Sequence, residues 1–256
     1  VIHDLEAAKL LLTDDPIRDP SYIIGYPGES SANTEEAANN LFLQNRRHRM
    51  NYYAVCAALA RVYLYRGDHT NALSQAREVI DAEKFPWTEM EDFLAVNPQD
   101  KDRILYKELI FGWYVPDKDA AYNRDWFREN TSGMHIAQSV NQAFYETATV
   151  GNSDQRYRQW YVTLSQNNNF ISVINKYRRN GQSPAQDANR HYLMAPAIRL
   201  SEVYYIAAEC TYPTDPQGAA TLLQTVRIHR GIGDLITVTN EADFTEEVLK
   251  EYRKEL

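Results

Sequence analysis

The sequence predicts a mainly α protein in which two helical hairpins, far apart along the chain, flank a long irregular insertion. Three observations predict it. From Met50 to Tyr65 nearly every residue is apolar or aromatic, Asn51 and Arg61 are the only strongly polar ones, and Gly and Pro are absent. That run is too long for an ordinary strand and rich in Ala and Leu, so it reads as a helix buried on most of its circumference. Gly67-Asp68 then supplies turn chemistry, and Ala72, Leu73, Ala76, Val79 and Ile80 repeat on one helical stripe, so the second helix folds back antiparallel to the first. A comparable order returns after Pro196, a residue suited to a first helical turn because its missing N–H would be unpaired there.

Small residues in the first hairpin have a steric reason. Ala60, Ala72 and Ala76 sit where a close helix crossing forbids bulk, and Leu59, Tyr63 and Val79 fill the space around them. This order resembles the tetratricopeptide unit of about 34 residues, although Cys56 stands where that unit usually has Trp.

The remaining elements follow in chain order. Ile2 to Leu12 makes an amphipathic helix with Leu5, Ala8 and Leu12 on one face. From Thr13 to Asn33, Asp, Pro, Ser and Gly punctuate Tyr22, Ile23, Ile24 and Tyr26, the signature of a long loop. Trp87 to Val96 suits a short helix and Ile104 to Val115 an extended segment; Pro116 to Asn130 has neither period. Gln138 to Ala148 reads as helix, Asp154 to Leu164 carries Tyr157, Trp160, Tyr161 and Leu164 at helical spacing, Phe170 to Tyr177 reads as a strand, and 178–189 as a polar loop. Leu200, Val203, Ala207 and Cys210 mark one helix face, Leu222, Leu223 and Val226 the next helix as far as Gly231. Phe244, Val248, Leu249 and Tyr252 form a last amphipathic helix, with Glu246 and Glu247 expected in its first turn, where acids favour the helix dipole. The organisation is one domain over 1–256, truncated at both ends, with hairpins at 50–82 and 196–231 around an insertion at 83–195.

A net charge of −8 argues against nucleic acid, and the longest basic tract, Arg46-Arg47-His48-Arg49, is expected to be a solvated helix start. Cys56 and Cys210 lie in apolar runs and read as free buried thiols. No run approaches the roughly 20 apolar residues of a membrane span. Both ends fall inside helical patterns, so the chain reads as a piece of a longer protein.

Four segments together resemble the SusD/RagB family of outer-membrane nutrient-binding lipoproteins: NYYAVCAALARVYLYRGDHTNAL, KELIFGW, APAIRLSEVYYIAAECTY with LLQTVRIHRG, and EEVLKEYRKEL. They occur in the family's order from about residue 50 onward. The resemblance implies a tetratricopeptide-like scaffold with a loop-rich half, which holds an oligosaccharide, or in some members a peptide, at the cell surface. The resemblance further implies delivery to a SusC-like TonB-dependent transporter, no catalysis, and membrane attachment through a lipid anchor expected to be absent from this chain.

Motifs of catalysis are missing: no G-x-S-x-G, H-E-x-x-H, C-x-x-C or P-loop. His3, His48, His69, His135, His191 and His229 lack ligand spacing, so no metal or cofactor is expected. A helical glycosidase would need acid and base carboxylates in one cleft. Binding is better supported. Sugar rings present apolar C–H faces, so a glycan site needs exposed aromatic rings with amide, carboxylate or guanidinium groups beside them. Trp113, Tyr114, Tyr122, Asn123, Arg124, Asp125 and Trp126 combine these groups, and Tyr22 and Tyr26 are second-rank candidates. The structural alternative for each ring is burial beneath a long loop. The functional alternative is a tetratricopeptide-type scaffold that binds a peptide or protein partner.

Overall fold

The computed structural model describes residues 1–27, 29, 33–97, 100–115, 134–177 and 194–255. Helix α1 (Ile2–Leu11) packs Leu5 and Ala8 on α2 (Tyr52–Tyr65), which is followed by α3 (His69–Ile80). Asn51 caps α2 by accepting from the Ala54 N–H at 2.9 Å, and Asp68 caps α3 through the Asn71 N–H. Between them Gly67 takes φ +78°, a left-handed conformation that glycine adopts without penalty. Ala60, Ala72 and Ala76 are all fully buried, so the close crossing expected of the small residues is realised.

The second hairpin is α7 (Leu200–Thr211) and α8 (Pro216–Ile228), and α3 lies directly against α7. Arg61 of α2 reaches across to Glu202 of α7 with paired bonds of 2.6 and 2.7 Å. One apolar core therefore runs through both hairpins and takes in Phe244 and Val248 of α9 (Glu241–Glu255). The fold is mainly α. Cys56 and Cys210 are buried free thiols.

Several local expectations are corrected. Helix α7 begins at Leu200 and not at Pro196, because Met194–Arg199 form strand β5 paired antiparallel with β1 (Leu109–Tyr114). Pro216 fills the first-turn role instead, beside Asp215, which caps α8. Helix α9 starts at Glu241, so Glu241 and Asp243 occupy its first turn, Glu246 and Glu247 come later, and Leu249 is exposed.

The described residues between the hairpins carry several regular elements. Helix α4 (Met90–Leu94) is short; β2 (His135–Ala137) runs into α5 (Gln138–Phe144). Helix α6 (Gln155–Trp160) gives way at Tyr161 to β3 (Tyr161–Gln166), so the helical spacing through Leu164 does not hold. Pairing with β4 (Asn169–Ile174) outweighs it: Asn167 and Asn168, both at positive φ, close a two-residue hairpin whose twist matches the strands. Strand β4 is central, between β2 and β3.

Arg46 and Arg47 are buried, which corrects the reading of that tract as a solvated helix start. Residues Arg46–His48 form a 3-10 turn ahead of α2. Arg46 donates twice to Asp15, at 2.8 Å each, and Arg47 forks onto Glu35 while donating to the Gly25 and Tyr106 carbonyls. Buried guanidiniums are tolerated because planar, two-point pairing and carbonyl acceptors replace their water.

Candidate aromatic site at the end of strand β1

Strand β1 leaves the core at its C-terminal end. Leu109 to Gly112 are buried, whereas Trp113 is 58% and Tyr114 51% exposed. The foot of the strand is held from below by an ionic centre. Arg230, one residue beyond the cap of α8, donates to both oxygens of Glu108 (3.0 and 2.6 Å) and of Glu255 (3.0 and 2.8 Å). Arg156 joins Asp154, Glu251 and Glu255, and Lys176 and Arg199 donate to the Glu255 carbonyl at 3.0 and 2.9 Å. Burial holds the Lys176 ammonium well below its ordinary pKa, with Arg199 adding like charge; the cationic neighbours Arg230, Arg156 and Arg199 overcome burial at Glu255 and lower its carboxyl. From the side, Asn51 donates to the Ile110 carbonyl at 2.8 Å, so the residue that caps α2 also fixes β1.

Each exposed ring has another ring behind it. Phe111, buried in the main core, meets Trp113 edge-on with centroids 4.7 Å apart. His48 lies parallel to Tyr114, with centroids 6.0 Å apart and planes within 2°. Space at Gly112 is tight: a Cβ there would stand 2.8 Å from the Met194 methyl, the end of a flexible side chain, and 3.3 Å from the Ala195 carbonyl. Successive residues of a strand point to opposite faces, so the two rings flank the strand end and do not form one flat wall.

Tyr122, Asn123, Arg124, Asp125 and Trp126 lie outside the described residues. Tyr22 and Tyr26 are second-rank candidates that the structure removes, being 8% and 1% exposed. Tyr22 donates no surface: its hydroxyl accepts from the Arg46 N–H at 3.1 Å. Tyr26 stacks on Tyr106 and donates to Asp102 at 2.8 Å. Burial pushes the Asp102 carboxyl up to about 6, against the hydrogen bonds from Tyr26 and the Tyr106 N–H. Among the described residues no cluster of His, Cys, Asp and Glu could hold a metal ion.

A model of the SusD family matches residues 111–256, from within β1 to the last residue, which is more than half of the 256 residues. The chain belongs to the SusD family. Solved structures agree in fold across nearly its whole length. A SusD-like carbohydrate binding protein from Bacteroides vulgatus superposes with a TM-score of 0.63 at 17% identity, covering 99% of this chain and 47% of its own. A SusD superfamily protein from the same species gives 0.64 at 20%, with 99% and 50% covered. A SusD superfamily protein from Bacteroides thetaiotaomicron gives 0.58 at 21%, with 97% and 62% covered. At these identities the likeness is one of fold, and the chain spans about half the length of the first two. No curated protein matches. No described helix is long and apolar enough to cross a membrane.

What sequence reasoning missed is the support beneath the SusD-family strand. The tract Arg46-Arg47-His48-Arg49, expected as a solvated helix start, packs on β1 instead. No local signal marks the exception, since Asp4, Glu6, Asp14, Asp19, Glu29 and Glu36 precede the tract as Asp15 and Glu35 do.

Proposed function

We propose that this chain binds oligosaccharide at the exposed aromatic end of β1 and performs no reaction on it. The observation that carries the reading is the pair Trp113 and Tyr114, two large rings more than half exposed at the end of an otherwise buried strand. Exposed rings backed by Phe111 and His48 offer apolar faces to sugar C–H groups with little ordering left to do on binding. Membership of the SusD family supports it, as does the description of one fold relative as a carbohydrate binding protein. On this reading Tyr122, Asn123, Arg124, Asp125 and Trp126, which come after β1 in the sequence, add rings and polar groups to the same site. The longer protein, one domain that includes both hairpins and the segment between them, is placed at the outer-membrane surface by a lipid anchor and passes the glycan to a SusC-like TonB-dependent transporter.

The test is a titration of purified protein with hexasaccharides of glucose (α-1,4 and β-1,4 linked), xylose and mannose, followed by tryptophan fluorescence, with short peptides as the contrasting ligands. Saturable change with a glycan, diminished in Trp113→Ala, supports the reading. Saturation by peptides alone would replace it with peptide capture.

A further inference from the structure

We propose that His48 is a positioning residue for the ligand site, holding the Tyr114 ring in the orientation that receives the ligand. The inference rests on the glycan-site reading above and names the part of it that lies outside β1. Tyr114 is the last residue of its strand and half exposed, so its own backbone does little to restrict the ring. His48 supplies the restriction: its ring is within 2° of parallel to Tyr114, an offset stack with centroids 6.0 Å apart. A support is useful only if it is itself held, and His48 is held by its side chain and by its turn. Its Nε2 meets the Tyr106 hydroxyl at 3.3 Å. Its 3-10 turn is entered through Asn45 at φ 47° and tied back by the Asn45 N–H donating to the Glu35 carbonyl at 2.9 Å. The two residues before it are the buried Arg46 and Arg47, locked on Asp15 and Glu35, and the Arg47 guanidinium also lies 4.2 Å from the Tyr106 ring centroid.

The arrangement suits positioning better than direct contact. His48 is partly buried behind Tyr114, and burial together with Arg47 and Arg49 pulls its pKa down to about 4, so at neutral pH it is an uncharged flat ring. What the ligand meets is Tyr114. What His48 contributes is that the tyrosine is already ordered when the ligand arrives, which removes a rotamer-freezing penalty from binding.

The test separates the support from the ligand. Protein is made with 3-fluorotyrosine, and the Tyr114 signal is assigned by its loss in Tyr114→Phe. Wild type and His48→Phe, which keeps a ring beneath Tyr114, should both show a ring-current-shifted resonance. In His48→Ala and His48→Gln that shift should collapse. In the glycan titration the Ala and Gln variants should bind roughly three- to tenfold more weakly and the Phe variant within about twofold of wild type. An unmoved fluorine resonance in both Ala and Gln variants overturns the proposal, as does Gln binding as tightly as wild type. Fluorine shifts as expected with no glycan bound by wild type would leave the support in place and take down the glycan reading alone.

Discussion

Arg230 gives the sharpest test of how β1 is held. Its side chain is wholly buried and makes four bonds of 2.6 to 3.0 Å to the carboxylates of Glu108 and Glu255. In Arg230→Met the volume is largely kept and the charge removed. Glu255 retains Arg156 and Arg199, but Glu108 is left with the Thr88 N–H at 3.0 Å as its remaining described donor. Removing one partner of a buried ionic group destabilises by about 3–5 kcal/mol, chiefly because the other charge is stranded. At roughly 2–4 °C per kcal/mol for a chain of this size, the melting temperature should fall by about 6–20 °C. Far-UV circular dichroism melts at pH 7 measure it. If stranding is the cause, Arg230→Met/Glu108→Gln recovers at least half of the loss. A single variant melting within about 2 °C of wild type, or a double variant no better than the single, refutes the reasoning.

Other consequences can be measured with the same melts. Asp102 has a folded pKa of about 6 against 3.8 ordinarily, so the folded state binds more protons and this group's contribution falls as pH rises through that window. Between pH 5 and 7 wild type should lose about 1 to 1.5 kcal/mol relative to Asp102→Asn, read from urea midpoints. His48 has the opposite sign: with its pKa lowered from 6.5 to about 4, stability is full above the unfolded value and lost as pH falls through it. His48→Phe should therefore gain roughly 2 kcal/mol on wild type between pH 7 and 5. Asn51→Ala removes the α2 cap and leaves the Ile110 carbonyl short of a donor, so about 2–4 kcal/mol should be lost, well beyond the ~1 kcal/mol of a cap alone.

How far the fold was legible depended on whether the signal was local. The apolar stripe of α3, the alanines at the crossing, and Gly67 with Asp68 are all dictated within one hairpin, and the structure matches them residue for residue. Pro196 misled because its local preference for a first helical turn is outweighed by pairing between β1 and β5, whose partners, from Tyr114↔Met194 to Leu109↔Arg199, are remote in the sequence. Trp160-Tyr161 misled for a related reason, since helical spacing cannot reveal that Tyr161 will pair with Ile174. There the local clue was Asn167-Asn168, two residues that tolerate positive φ and close a tight hairpin. Arg46 and Arg47 were illegible in principle: charge is usually solvated, and their acceptors Asp15 and Glu35 are brought in by the tertiary fold. The candidate site was legible as a run of aromatic and polar residues. Which rings stand clear of the core, Trp113 and Tyr114 but neither Tyr22 nor Tyr26, required coordinates.

If the ring pair at the end of β1 captures glycan, its removal should abolish most of the affinity. The most direct measurement is calorimetric titration of wild type and Trp113→Ala/Tyr114→Ala with the hexasaccharide that gives the largest fluorescence change. Wild type should bind saturably and the double variant at least tenfold more weakly, with an unchanged melt. Equal affinity in the two proteins would contradict it.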